Sequence, residues 1–334
     1  MKNYSRRDFI TVGSLALGGL MASDIYASPV STLKNKRIGI IGLDTSHSIA
    51  FTKALLQDSD RFKGYKVVAA YPYGTKTIPS ATSRIPQYIE QIKTLGVEIV
   101  DSIKTLLKKV DFVLLETNDG RLHLEQAREV FKAKKPLFID KPLAASYQDA
   151  AKIFALSAQY KVPFFSSSSL RYISGLQDVI AGKYGKVLGA DVYSPAEIDS
   201  SHPDFFWYGI HGVEMLFAAM GVGCKSISRT HTADTDILVG IWEDGRVGTV
   251  RGTRSGQPEF GGTIYCESAT VTLGKFEGYS LLLDEIVEFF ETKKLPFDGA
   301  ETLEICAFIE AADISRTQKG AKVDLSTVIQ KLAR

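Results

Sequence analysis

Short apolar runs rich in β-branched residues alternate with helix-length amphipathic stretches between Arg37 and Ser167, and this alternation constrains the fold more than any other feature. Arg37–Leu43 (RIGIIGL) lacks polar alternation, as expected of a strand buried on both faces of a parallel sheet. A helix over Ser46–Leu56, a strand at Lys66–Ala70, a helix over Ile85–Leu95 and a short strand at Val97–Val100 follow. A helix to Lys109 leads to strand Asp111–Leu115, helix Leu122–Ala133, strand Pro136–Ile139, helix Tyr147–Tyr160 and strand Val162–Ser167. Strands joined by helices predict a doubly wound parallel sheet with right-handed crossovers and a ligand crevice at the carboxyl ends of its strands.

Beyond the serine run Ser166–Ser169 the pattern changes. Val187–Tyr193, Ile237–Trp242, Val247–Thr253 and Thr263–Leu273 are separated by Gly, Asp and Glu turns, which predicts a mainly antiparallel sheet with one face packed and one open. Helices over Leu281–Phe290 and Ala300–Thr317 close the chain. The expected architecture is α/β: a Rossmann-type domain over 35–165 and an α/β domain with an antiparallel open sheet over 166–334, whose last helices can pack back on the first domain.

The N-terminus is of another kind. Ser5-Arg6-Arg7-Asp8-Phe9-Ile10 precedes the short apolar run Thr11–Met21 and small residues around Ala22, Ser23, Ala27 and Ser28, which reads as a twin-arginine export signal over 1–28 and a periplasmic location. The run is too short to cross roughly 30 Å of hydrocarbon, so no stable membrane anchor is expected. Cys224, Cys266 and Cys306 are far apart without metal-ligand spacing, and read as buried small residues. The 334 residues, 45% of them apolar, suffice for two cores; 40 basic against 38 acidic residues, spread without a basic stripe, argue against a nucleic-acid partner.

Four segments occur in a telling order: Asn118 and His123 after the fourth strand, Ile139-Asp140-Lys141-Pro142 at the end of the fifth, Ser168-Ser169-Leu170-Arg171-Tyr172, and Tyr208-Gly209-Ile210-His211-Gly212-Val213-Glu214. In these the chain resembles the Gfo/Idh/MocA oxidoreductase superfamily from Arg37 to its C-terminus. The resemblance implies NAD or NADP as cofactor, hydride transfer on a sugar, polyol or cyclitol derivative, and homo-oligomerisation through the second sheet. It implies Lys141 and His211 as the catalytic pair. Gly42, Leu43, Asp44, Thr45, Ser46, His47, Tyr71, Thr117, Asn118, His123 and Asp140 would join Lys141 around the cofactor, and Arg171, His202, Asp204, Trp207 and Tyr208 would meet the substrate. The chemistry suits such a pair, since oxidising a carbinol needs a base for the hydroxyl proton and reducing a carbonyl needs a donor to the developing alkoxide.

The sequence also departs from that pattern. Where a Gly-x-Gly-x-x-Gly turn would follow Ile41, the chain reads Gly42-Leu43-Asp44-Thr45-Ser46-His47 and keeps only the first glycine. Asp44 would carry negative charge toward two phosphates at a helix N-terminus, where Thr45 or Ser46 can cap and a protonated His47 can help. The second strand ends in Tyr71-Pro72-Tyr73 without an acid for a ribose hydroxyl, and Lys76 and Arg84 are too loosely placed to favour NADP. Trp207 stands one turn before His211, where many family members have Asp; the aromatic run Phe205–Tyr208 suits stacking on a sugar ring, with Phe205 and Phe206 expected in the core. Two further functions fit these residues: redox-assisted glycoside hydrolysis or elimination, and carbohydrate binding without cofactor or catalysis. His47, His123, His202, His211 and His231 could be recruited with Asp44 or Glu214, but without an HxxxH pair or cysteine cluster no metal is expected.

Overall fold

The structure, a computed structural model, describes residues 36–200 and 203–330; the export signal expected over 1–28 and His202 lie outside the described residues. Strands β1 (Arg37–Ile41), β2 (Lys66–Tyr71), β3 (Glu98–Ile99), β4 (Phe112–Leu115), β5 (Leu137–Asp140) and β6 (Phe164–Ser167) form a six-stranded sheet in the order β3-β2-β1-β4-β5-β6. The pairings of β1 with β2 and β4, of β2 with β3 and of β4 with β5 are parallel. Ile38, Ile40, Ile41 and all of Phe112–Leu115 and Leu137–Ile139 are buried, which is why these strands read as unbroken apolar runs. The order reverses between β1 and β4, so the crevice falls at the loops that follow them.

Helices α1 (Ser46–Gln57), α2 (Ile85–Thr94), α3 (Ile103–Lys109), α4 (His123–Lys132) and α5 (Tyr147–Tyr160) make the crossovers. The Thr45 hydroxyl caps α1 by accepting from the His47 N–H, and Ser102 caps α3 through Thr105.

The second sheet is seven-stranded, in the order β12-β11-β7-β10-β9-β8-β13. Its strands are β7 (Val187–Pro195), β8 (Cys224–His231), β9 (Thr235–Trp242), β10 (Val247–Thr253), β11 (Gly261–Cys266), β12 (Thr270–Thr272) and β13 (Val323–Asp324). Only β7 with β10 is parallel among the pairings; the others are antiparallel. The run predicted as one strand over Thr263–Leu273 is a hairpin instead, because Cys266 N–H bonds the Ala269 carbonyl and turns the chain. Helices α6 (Ile210–Met220) and, past α7 (Ser280–Thr292), α8 (Gly299–Thr317) cover one face. Approach is close: a Cβ on Gly212 would come within 2.9 Å of Val250, and one on Gly248 within 2.8 Å of Leu216.

The chain forms two compact units that exchange segments. The first comprises residues up to Asp140, Asp149–Phe165 and Leu283–Pro296; the second holds Lys141–Gln148, Ser166–Leu282 and the chain from Phe297 on. The return of 283–296 to the first unit has an aromatic cause. Phe290 lies 4.6 Å from Phe112 and 6.0 Å from Tyr65 between ring centroids, and Phe289 lies 5.1 Å from Phe165. Among the described residues no helix is long and apolar enough to cross a membrane.

Candidate active site

In the first unit the crevice is built by the loops after β1, β2 and β4. Gly42 has φ +94°, which a residue with a side chain adopts only under strain, and a Cβ there would lie 2.6 Å from the Thr117 N–H nitrogen. The N–H groups of Gly42 and Leu43 are bonded to the carbonyls of Tyr71 and Pro72, and the Leu43 side chain is core. The loop then enters α1, whose first N–H groups have no intrahelical acceptor and favour an anion.

Asp44 stands in that place. It is fully buried, and its Oδ2 accepts from the Thr75 N–H at 2.8 Å and from the Asn118 N–H at 3.3 Å. Burial pushes its carboxyl up to about 6 against the opposing effect of those two bonds, and the field of Asp119 adds to the rise. Asp119 itself is clamped by Arg121 through bonds of 2.7 and 2.8 Å.

His47 is not turned to a phosphate: its Nδ1 lies 2.8 Å from Asp140 Oδ2 and 4.0 Å from Glu116 Oε2, and its ring stacks on Phe51. His123 Nε2 lies 2.7 Å from the Thr117 carbonyl oxygen, which ties the ring to the loop after β4. Tyr71 is half-buried and edge-on to Tyr73. Glu116, buried at the end of β4, carried no signal in the sequence, because one acid after an apolar strand is ordinary.

The second unit holds the other group. Lys141 directly follows β5, is buried, and its ammonium lies 5.9 Å from the centre of the Tyr208 ring. The other side of this arrangement is His211, whose ring centre is 4.9 Å from that of Tyr208. His211 Nδ1 is 2.7 Å from Ser168 Oγ, which also accepts from the Leu170 N–H, and Phe260 meets the imidazole edge-on at 5.7 Å. Ser168 and Phe260 were not singled out by sequence, although Ser168 lies in one of the resembling segments.

Two expected substrate residues are held in ion pairs within the second unit. Arg171 is buried, donating to Glu214 at 2.9 Å and to Glu301, with its guanidinium 3.7 Å from the Phe297 ring centre. Burial works to lower its pKa, but the two carboxylates override this and hold the guanidinium above its usual value. Asp204 is also buried and is ion-paired to Arg229 at 2.8 Å and Arg316 at 3.1 Å, so it belongs to a charged network with Asp236 and Asp313. Phe205 and Phe206 are core, while Trp207 and Tyr208 are half-buried.

The first unit thus has the sheet and loops of a dinucleotide-binding Rossmann fold, and the second gathers a buried lysine and a buried histidine about a half-buried tyrosine. Residues 36–168 match the model of the Gfo/Idh/MocA oxidoreductase family, NAD-binding Rossmann fold. No curated protein matches the chain. Among solved structures it is similar to the WlbA dehydrogenase of Bordetella pertussis, in complex with NADH and UDP-GlcNAcA: 19% identity, 87% of this chain and 99% of that one covered, TM-score 0.69. It is also similar to the myo-inositol dehydrogenase of Lactobacillus casei, in complex with NAD(H) and myo-inositol: 15% identity, 86% and 96% covered, TM-score 0.67. An oxidoreductase of Agrobacterium radiobacter in complex with NAD+, L-tartaric acid and magnesium shares 15% identity over 87% and 98%, TM-score 0.69. These likenesses establish the fold.

The family's cofactor fits the backbone of the first unit, where Gly42, the start of α1 and the Asn118 loop would hold it. Asp44 disagrees with it when ionised, because its carboxylate then places an anion on the donors nearest that loop.

Proposed function

We propose that the chain oxidises or reduces a secondary hydroxyl or carbonyl of a sugar, polyol or cyclitol derivative with a nicotinamide cofactor. The observation that supports this best is the Lys141–Tyr208–His211 group, with His211 oriented by Ser168. The bound nicotinamide supplies a hydride acceptor or donor. Lys141 holds the reacting oxygen by a hydrogen bond, and His211 takes its proton in oxidation or returns it in reduction. The half-buried rings of Trp207 and Tyr208 suit the apolar face of a sugar or cyclitol ring. Burial around Lys141 and His211 keeps water from competing for the proton.

The open face of the second sheet exposes Tyr193, Ile241, Val247 and Tyr265, an apolar surface that supports a homo-oligomer. The twin-arginine pattern supports export to the periplasm.

The test is a screen of cyclitols, hexoses, uronic acids and polyols for NAD+ or NADP+ reduction at 340 nm, with Lys141→Met and His211→Asn as controls. Cofactor reduction with one substrate class, abolished in both variants, is the expected result. Activity equal in the variants would remove the assignment of these residues, and none with any substrate would remove the reading. A redox-neutral elimination rests on the same pair and would show as product formation without net cofactor reduction.

A further inference from the structure

Asp44 is a fully buried acid in the cofactor-side loop of the first unit. A buried carboxylate normally has several donors or a cation. Its Oδ2 has the backbone N–H groups of Thr75, after β2, and Asn118, after β4, whereas its Oδ1 has no hydrogen-bond partner among the described residues. The space that admits it is made by two glycines on different loops. A Cβ on Gly42 would lie 2.9 Å from Asp44 Oδ1, and one on Gly74 would lie 2.7 Å from the same oxygen and 2.8 Å from Thr117 Oγ1. Side chains at either position would evict the carboxylate, so the three loops are shaped around it.

The loops concerned are those flanking the reversal of strand order, where an open α/β sheet receives its ligand. A carboxylate bonded to backbone N–H groups there is a tethered anion on an anion site. Resting on the cofactor reading above, we propose that Asp44 is a selectivity residue which competes with the dinucleotide's phosphates, and that tight binding requires this carboxylate to be neutral. The charged surroundings make neutralisation by protonation the available route. Asp119, on the Asn118 loop, adds negative field and is itself neutralised by Arg121; His47, on α1, is committed to Asp140 beside Glu116. Thr75, on the remaining loop, brings only its N–H and hydroxyl. Burial holds the proton on Asp44 at a pH where an exposed aspartate has lost it.

The experiment is calorimetric titration of the purified chain with NAD+ and with NADP+ at pH 5.5 and pH 8.0, for the natural protein, Asp44→Asn, Asp44→Gly and Asp119→Asn. Asn keeps the shape and an acceptor for Thr75 while removing the charge; Gly restores an open loop should Asn not fold. The natural chain is expected to bind about 10-fold more tightly at pH 5.5 than at pH 8.0. Asp44→Asn is expected to bind equally at both, about 10-fold more tightly than the natural chain at pH 8.0. Asp119→Asn should keep the pH dependence. Equal affinity of the natural chain and the Asp44 variants at pH 8.0 would overturn the inference and leave the cofactor reading standing. Binding by the variants alone would uphold the inference and overturn that reading for the natural chain. No binding by any of them at millimolar cofactor would overturn both.

Discussion

The Nδ1 of His211 lies 2.7 Å from the hydroxyl of Ser168, and both side chains are buried. Ser168 is itself fixed by the Leu170 N–H at the start of a short 3-10 turn, so the imidazole is aimed by backbone rather than by another mobile side chain. Ser168→Ala should therefore lower kcat about 10-fold or more with little change in KM, and alter the pH profile, because orientation is lost and not a substrate contact. Steady-state kinetics across pH check this; an unchanged kcat would mean that the bond does not orient the base.

Replacing the pair itself has a larger effect. Lys141→Met and His211→Asn should each lower turnover about 100-fold or more, the usual contribution of a positioned acid or base. Cofactor affinity of His211→Asn should stay unchanged, read by calorimetry.

Arg171→Met tests the finding that this arginine is internal. With the guanidinium gone, the buried Glu214 and the half-buried Glu301 are left without their cation, and about 3–5 kcal/mol of stability should be lost. Denaturant unfolding measures it. A substrate-binding role alone would raise KM and leave the unfolding midpoint in place.

Stability should fall as pH rises from about 4 toward 8. Burial pushes Asp44 up to about 6 and Glu304 up to about 7, although Glu304 accepts from the Gly223 and Cys224 N–H groups. A carboxyl raised in the folded state binds its proton more tightly there than in the unfolded chain. Its stabilisation is complete below the unfolded pKa and is lost as pH climbs through the folded one. For Asp44 the loss is about 3 kcal/mol. Asp44→Asn and Glu304→Gln should each raise Tm at pH 8 and flatten the slope, as thermal melts across pH would report; a slope unchanged in both would refute it.

The glycine at 74 should be coupled to Asp44. Gly74→Ala should destabilise the natural chain by about 1–3 kcal/mol, since its methyl would overlap the carboxylate, and should cost clearly less in an Asp44→Gly background. A double-mutant cycle of unfolding free energies gives the coupling; additive effects would place the carboxylate elsewhere.

Much of the first sheet was legible because its strands are buried on both faces: Arg37–Ile41 and Phe112–Leu115 cannot read as anything but apolar runs. Strand β8 was not, since Arg229 is buried there through ion pairs with Asp204, Asp236 and Asp313, and such a strand looks polar until its partners are known. The same holds for the site. Lys141 and His211 stood out through the segments around them, whereas the tasks of Arg171 and Asp204 depend on Glu301 and Arg229, distant in sequence and close only after folding. Asp44 was noticed as a misplaced charge; its two N–H donors come from loops that no local pattern links to it.

The strand order of the first sheet is completed by Ser167, but the unit around it is not. Tyr65, Phe112 and Phe165 wait for Phe289 and Phe290, more than a hundred residues later. A chain growing from its N-terminus thus cannot close its first core until α7 and the whole second sheet but β13 have been synthesised, and truncation after Phe165 would leave an aromatic surface open to aggregation.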